Sequence, residues 1–264
     1  REWLSLYESK SGERGIFNRK SARVQAAKNG RRETEHDFGC NPCSEIILRP
    51  YQFCNLSEVV VRENDTVETL KEKVRLATIL GTFQATLTNF KYLRKIWKDN
   101  TEQERLLGVS LTGIMDNDMM AGKSAKMGGN IGQVLETLRD VAIDANKAMA
   151  WELGIEQSAA ITCVKPSGTV SQLVDSASGI HARHNPYYIR TVRGDNKDPL
   201  TQFLVAQGLP SEPDVMKPDS TTVFSFPMKS PKNAVTRTGM TAIEQLELWL
   251  TYQRYWCEHK PSVT

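Results

Sequence analysis

The sequence is poor in the features that would place it in a membrane, on nucleic acid or outside the cell. No apolar run approaches the roughly 18 residues that a membrane span requires, and the opening REWLSLYESKSGERG carries no signal-peptide core. Net charge is only +3, with 34 Lys and Arg interspersed among 31 Asp and Glu, so neither a polyanion surface nor direct nucleic-acid binding is expected. There is no tandem repeat and no low-complexity tract. Cysteine is scarce and odd in number, five in 264 residues, which argues against a disulfide framework. It points instead to a cytoplasmic setting, where clustered cysteines more often serve metal or redox chemistry.

What remains is a chain of ordinary globular composition, 39% hydrophobic and 25% charged, long enough to bury a sizeable core. It opens on Arg1 as if in mid-sequence and stops at KPSVT, where Ser262 to Thr264 read as the start of a strand. Residues 1–264 are therefore expected to be one fragment of a longer protein.

Hydrophobic periodicity organises the chain. Val67, Leu70, Val74, Ala77, Leu80 and Leu87 recur at three- and four-residue intervals and predict an amphipathic helix over 66–90, capped by Asp65 or Thr66. Residues 105–115 read as a buried strand, and 131–153 as a second long helix with Ile131, Val134, Leu135, Leu138, Val141, Ala142, Ala145 and Met149 on one face. A short strand at 159–164 leads into KPSGT and a short helix, VSQLV. Then come a strand at YYIRTVRG, a helix at 198–207, a strand at TTVFSF and a closing helix over 241–260. Helices alternate with mostly unalternating apolar strands, the pattern of an α/β protein with a parallel sheet covered by helices. In such folds ligands sit on the loops after the strands, which is where KPSGT falls.

One stretch is crowded with chemistry. GCNPCSEIILRPYQFCNLSEV, residues 39–59, holds Cys40, Cys43 and Cys54. A zinc site on Cys40 and Cys43 would need a second pair at similar spacing, and Cys163 and Cys257 are isolated. A thioredoxin-like pair should open a helix, whereas Pro42 and IILRP favour a loop. Buried, inert cysteines are the bland alternative, although it leaves the neighbouring amide and carboxylate unexplained. In a tight loop Asn41, Cys43 and Glu45 alternate, and would present an amide, a sulfur and a proton-accepting carboxylate to one side. In KPSGT, Gly168 permits close backbone approach and Ser167 and Thr169 offer hydroxyls, features of an anion site as well as of a surface turn. Cys163 reads as core, and Cys257, Glu258 and His259 as packing or solvent-facing positions on a helix. His181, Arg183 and His184 divide between ligand contact and structural roles.

NPCSE, followed by FCNLSEV with its cysteine eleven residues beyond Cys43, resembles the active-site loop of ribonucleotide reductases, and most of all the adenosylcobalamin-dependent class acting on ribonucleoside triphosphates. SGERGIFNR at 11–19, ERLLGVSLTGIMD at 104–116, the stretch from KPSGT to 193 and the end of the chain share the likeness. It covers nearly the whole chain and the later part of the family's catalytic domain.

The resemblance implies the C-terminal half of a ten-stranded α/β barrel with a central finger loop. Cys43 would carry a thiyl radical, formed with adenosylcobalamin as cofactor, that removes the 3′ hydrogen of the ribose. Glu45 would take the 3′-hydroxyl proton and Asn41 hold the sugar hydroxyls. Cys54 would be one of two cysteines oxidised to a disulfide, its family partner lying upstream of anything found here, and a thioredoxin-type dithiol would reduce it again. Pro166, Ser167, Gly168 and Thr169 would bind the phosphates of a ribonucleoside tri- or diphosphate. A complementary N-terminal half-barrel would complete an enzyme supplying deoxyribonucleotides for DNA. Two other readings stay open: a nucleotide-binding module without catalysis, and a zinc-dependent interaction domain.

Overall fold

The computed structural model describes residues 1–11, 15–123 and 130–262. Residues 12–14 of the SGERGIFNR stretch and residues 263–264 of the expected terminal strand lie outside the described residues.

Three parallel strands form the centre, β3 (Asn55–Val60), β4 (Leu107–Thr112) and β5 (Thr162–Cys163), in the order β3-β4-β5. Leu107 pairs with Asn55, and Val109 with both Ser57 and Thr162. A parallel bridge from Val164 to Pro261 continues the sheet past β5. All six residues of β4 are buried, which explains why its apolar run does not alternate.

Two helices cover one face of this sheet: α3 (Val67–Gln84), opened by a Thr66–Thr69 capping box, and α5 (Ile131–Leu153), capped by Asn130 and ended by Gly154 at φ 65°. Leu70 and Val74 from α3, Leu107, Val109 and Leu111 from β4, and Leu135, Leu138 and Ala142 from α5 make the main core. Helix α8 (Ala242–Tyr255) closes it with fully buried Tyr252 and, just beyond, Trp256. Both keep their polar ends satisfied, Tyr252 Oη donating to Met120 O (2.9 Å) and Trp256 Nε1 to Cys163 O (2.7 Å).

The other elements surround this centre. Helices α1 (Glu2–Ser9) and α2 (Arg19–Ala27) precede a short antiparallel hairpin, β1 (Gly39–Cys40) with β2 (Ile47–Leu48), and α4 (Lys95–Glu104) precedes β4. The four-residue α6 (Val170–Leu173) follows β5. Strands β6 (Tyr187–Asp195), β7 (Ser211–Pro213) and β8 (Thr221–Lys229), with α7 (Pro199–Ala206), form a separate antiparallel sheet in the order β6-β8-β7. Among the described residues no helix is long and apolar enough to cross a membrane.

The molecule is thus mixed α/β, with corrections to the sequence reading. The parallel pattern ends at β5, because β6 and β8 pair antiparallel along nine residues. Helix α3 ends at Gln84 rather than running to 90, and Leu80 and Leu87, assigned to its inner face, are 65% and 71% exposed. Leu87 lies beyond the helix, where the 3.6-residue period no longer applies. The last helix stops at Tyr255, and 256–262 leave it to run beside the sheet.

Candidate active site

The hairpin β1–β2 carries the cysteine loop. Ser44 N donates to Asn41 O (2.9 Å) to close a turn, and Ile46 N donates to Asn41 Oδ1 (3.0 Å). Ser44 sits at φ 67°, a left-handed conformation that costs a non-glycine residue roughly 1–2 kcal/mol. This is a turn rather than an extended segment, so strand-like alternation does not describe 41–45. Cys43 is exposed at the tip, while Glu45 points inward and is only 1% exposed. Glu45 Oε2 has no hydrogen-bond partner. Cys40 does not pair with Cys43: it is half-buried, and its Sγ accepts from Ser44 Oγ (3.4 Å).

The loop lies over the sheet face opposite the helices. Gly81 of α3 faces Ser57 and Leu107, whereas the pro-Cβ side of Gly108 faces Leu56, Ile46 of the loop and Cys163. By strand alternation Leu56, Glu58, Gly108 and Ser110 share this loop-side face. Cys54, immediately before β3, is half-buried there, and burial pushes its thiol well above the ordinary range, with Arg32, Glu45 and Lys165 as the charged groups around it. Buried Cys163 feels Cys54, Glu45 and Lys165 as well, so three distant stretches of sequence converge on one face.

KPSGT follows β5 at the strand end. Lys165 N donates to Ser110 Oγ (2.8 Å), and Gly179 packs so tightly on Lys165 O that a Cβ there would collide with it. Ser167 is buried at φ 54° with its hydroxyl turned inward and unpartnered, whereas Gly168 and Thr169 are exposed. Ser167 therefore has only its backbone to offer an outside anion, while Thr169 has a free-facing side. The inward hydroxyl meets Glu58, whose carboxylate oxygens are both buried without a hydrogen bond. Burial pushes the Glu58 carboxyl up, and Ser167 and Lys165 oppose that shift.

Arg183 is structural. It is buried and forked onto Asp116 (Nε to Oδ1 2.8 Å, Nη2 to Oδ2 2.9 Å), with Nη1 on Asp175 Oδ1 (3.0 Å). His181 Nδ1 bonds to Ser178 O (2.9 Å), and His184 stands edge-on to Tyr188. Among the described residues no group of three or more His, Cys, Asp or Glu is arranged to hold a metal ion.

Glu58, Lys165 and Lys260 were not singled out by sequence reasoning, and Ser262 was read only as the start of a strand. Glu58 offered little signal, because β3 reads NLSEVV and carries Asn55 and Ser57 as well. Cys257, Glu258 and His259, read as packing or solvent positions, are all buried. Both Glu258 carboxylate oxygens accept from the single Arg31 Nη2 (2.5 and 2.6 Å), and Oε2 also accepts from Ile161 N (2.8 Å).

Comparison with solved structures assigns the fold. The chain superimposes on a B12-dependent class II ribonucleotide reductase with a TM-score of 0.70 and 24% identity, over 89% of this chain and 35% of the other. The alpha subunit of the Actinobacillus ureae class Id ribonucleotide reductase aligns less closely, at TM-score 0.50 and 14% identity over 79% and 46%. The mixed α/β fold matches about a third of the class II ribonucleotide reductase structure.

Curated relatives sharpen the assignment. The chain is 31% identical to the adenosylcobalamin-dependent ribonucleoside-triphosphate reductase of Lacticaseibacillus paracasei, over 99% of this chain and 38% of that protein. It is 30% identical to the protein of the same name from Euglena gracilis, over 86% and 30%. This chain is a homologue of the adenosylcobalamin-dependent ribonucleoside-triphosphate reductases, and it spans about a third of their length. No protein-family model matches it.

Proposed function

We propose that this chain is the C-terminal half-barrel of an adenosylcobalamin-dependent ribonucleoside-triphosphate reductase, with 39–48 as its finger loop and 1–264 as one unit of the catalytic domain. In this reading it reduces ribonucleoside triphosphates by a thiyl-radical route and supplies precursors for DNA. The observation that carries the proposal is the loop itself: an exposed Cys43 beside a buried Glu45 whose Oε2 is orphaned, over the sheet face that carries Cys54. Buried polar atoms in native proteins are normally paired, and the unpaired Glu45 Oε2 is available to accept a hydrogen bond from a substrate hydroxyl.

Bound adenosylcobalamin supplies removal of a hydrogen atom from a thiol, and Cys43, exposed at the loop tip, fits that chemistry. Cys43 then takes the 3′ hydrogen of the ribose and returns it at the end of the cycle. Glu45 accepts the 3′-hydroxyl proton as water leaves C2′. Asn41, whose Oδ1 is committed to Ile46 N, holds the sugar hydroxyls through its amide NH2. Cys54, with a second cysteine from the complementary half-barrel, gives up two electrons and becomes a disulfide, which a thioredoxin-type dithiol reduces. Overall, one ribonucleotide and one dithiol yield one deoxyribonucleotide, one disulfide and one water. Backbone N–H groups of Gly168 and Thr169, with the Thr169 hydroxyl, hold the phosphates, and Pro166 and Ser167 shape the turn.

The test uses the longer protein that contains this chain, with adenosylcobalamin, a ribonucleoside triphosphate and a dithiol. Deoxyribonucleotide should form, and Cys43→Ser should abolish it; turnover by Cys43→Ser would refute the radical assignment.

A further inference from the structure

The candidate loop is a weak structure on its own. Its ladder has two residues on each side, its turn contains a left-handed serine, and its tip is exposed. An isolated hairpin of this kind is marginal in water. Hydrogen-atom transfer, by contrast, needs donor and acceptor placed to a fraction of an ångström. Something outside the hairpin has to set the position of Cys43.

That work falls to a segment more than two hundred residues away. Ser262 Oγ donates to Cys43 O (3.2 Å) and Lys260 Nζ to Ser44 Oγ (3.0 Å). Lys260 N donates to Glu45 O (3.1 Å), and Ile47 N to His259 Nδ1 (3.3 Å). Loop positions 43, 44, 45 and 47 are thus met in turn by 262, 260, 260 and 259, so the segment runs alongside the loop in the opposite direction.

On its other side the same segment is tied to the parallel sheet. His259 N donates to Thr162 O (3.0 Å), Val164 N to Lys260 O (3.4 Å) and Ser262 N to Val164 O (2.7 Å). His259 is fully buried. Because its Nδ1 accepts from Ile47, its Nε2 carries the proton and donates to Leu107 O (3.0 Å), making the ring a strut between β2 and β4. Lys260 is half-buried near Glu45 and Cys40, and its ammonium lies 6.0 Å from the Phe17 ring.

We propose that His259, Lys260 and Ser262 are positioning residues, a strap that fixes the Cys43 thiol relative to the sheet face carrying Cys54 and the KPSGT loop. The catalytic consequence rests on Cys43 being the hydrogen-transferring thiol; the strap does not.

The experiment is made on the longer protein. Ser262→Ala and Lys260→Met each remove one bond without touching a buried ring, and His259→Ala is compared with His259→Gln, which retains a donor and an acceptor. Mass-resolved iodoacetamide labelling of Cys43 and amide exchange at Ser44 to Ile47 report on the loop directly. Each truncating variant should change both several-fold while the melting temperature of Ser262→Ala and Lys260→Met stays near wild type. In the complete enzyme kcat should fall by about 10- to 100-fold with KM for the nucleotide within about twofold. His259→Gln should recover most of what His259→Ala loses.

Wild-type labelling and exchange in both Ser262→Ala and Lys260→Met would overturn the strap, whatever happens to His259→Ala. Altered labelling and exchange, together with an active Cys43→Ser enzyme, would leave the strap standing and remove the radical assignment instead.

Discussion

Two titratable residues near the loop, the buried His259 and the half-buried Glu58, make opposite demands on pH. Burial, reinforced by the nearby Arg32 guanidinium, pushes the His259 imidazole down to about 3, so the folded ring stays neutral. Between that value and the ordinary 6.5 the unfolded chain binds a proton that the folded chain refuses. Stability is therefore full above about pH 7 and is lost on acidification through this window. The urea midpoint of the wild type should fall more steeply from pH 7 to pH 4 than that of His259→Gln; parallel curves would contradict the assignment. Glu58 is the reverse case, a carboxyl raised by burial, so the folded state holds its proton longer than the unfolded state does. Stability is lost as pH rises through the Glu58 range, and Glu58→Gln should melt higher than wild type at pH 8, by a wider margin than at pH 5. An equal or lower melting temperature at pH 8 would show that the carboxylate has a partner.

At the scale of elements, the loop and the sheet meet at a glycine. A Cβ on Gly108 would stand 2.5 Å from Leu56 Cδ2 and 3.1 Å from Ile46 Cδ1, and Ile46 belongs to the loop. Gly108→Ala should cost about 1–3 kcal/mol in denaturant unfolding and speed alkylation of Cys43 by lifting the loop. Wild-type stability and labelling would mean that Leu56 simply turns aside. Other elements differ in how plainly the sequence announced them. Helix α5 was legible to its ends, because its apolar stripe is regular and Asn130 and Gly154 mark its limits. Helix α4 was not, since KIWKDNTEQE has no apolar stripe and its buried residues are Asn100, Thr101 and Glu104. Glu104 is matched instead by Arg32 (2.9 Å) and Gln52 (2.5 Å), a polar packing that hydrophobic periodicity does not register. Strand direction was equally hidden: TTVFSF reads the same whether its neighbour is parallel or antiparallel. In the site, Asn41, Cys43, Glu45 and KPSGT were visible as short motifs. The strap was not, because its bonds to the loop span 212 to 219 residues, and its sequence read as the end of a helix up to Lys260 and the start of a strand from Ser262.

At the scale of the whole molecule, one surface stands apart. Leu76, Leu80 and Phe83 along α3, with Leu87 just after it, are all about half exposed or more, and surface apolar groups in such a row favour self-association. Replacing Leu80 and Leu87 together by Lys should reduce dye binding and light scattering of the concentrated chain without lowering its melting temperature; unchanged scattering would show that the row is inert. The strap also sets an order of events. Synthesis delivers the hairpin before the groups that fix it, because 259–262 emerge more than two hundred residues later. Contacts of such separation close late in folding. Until they do, the chain holds the exposed Cys43 on an unanchored turn, so the turn acquires its final position among the last acts of folding.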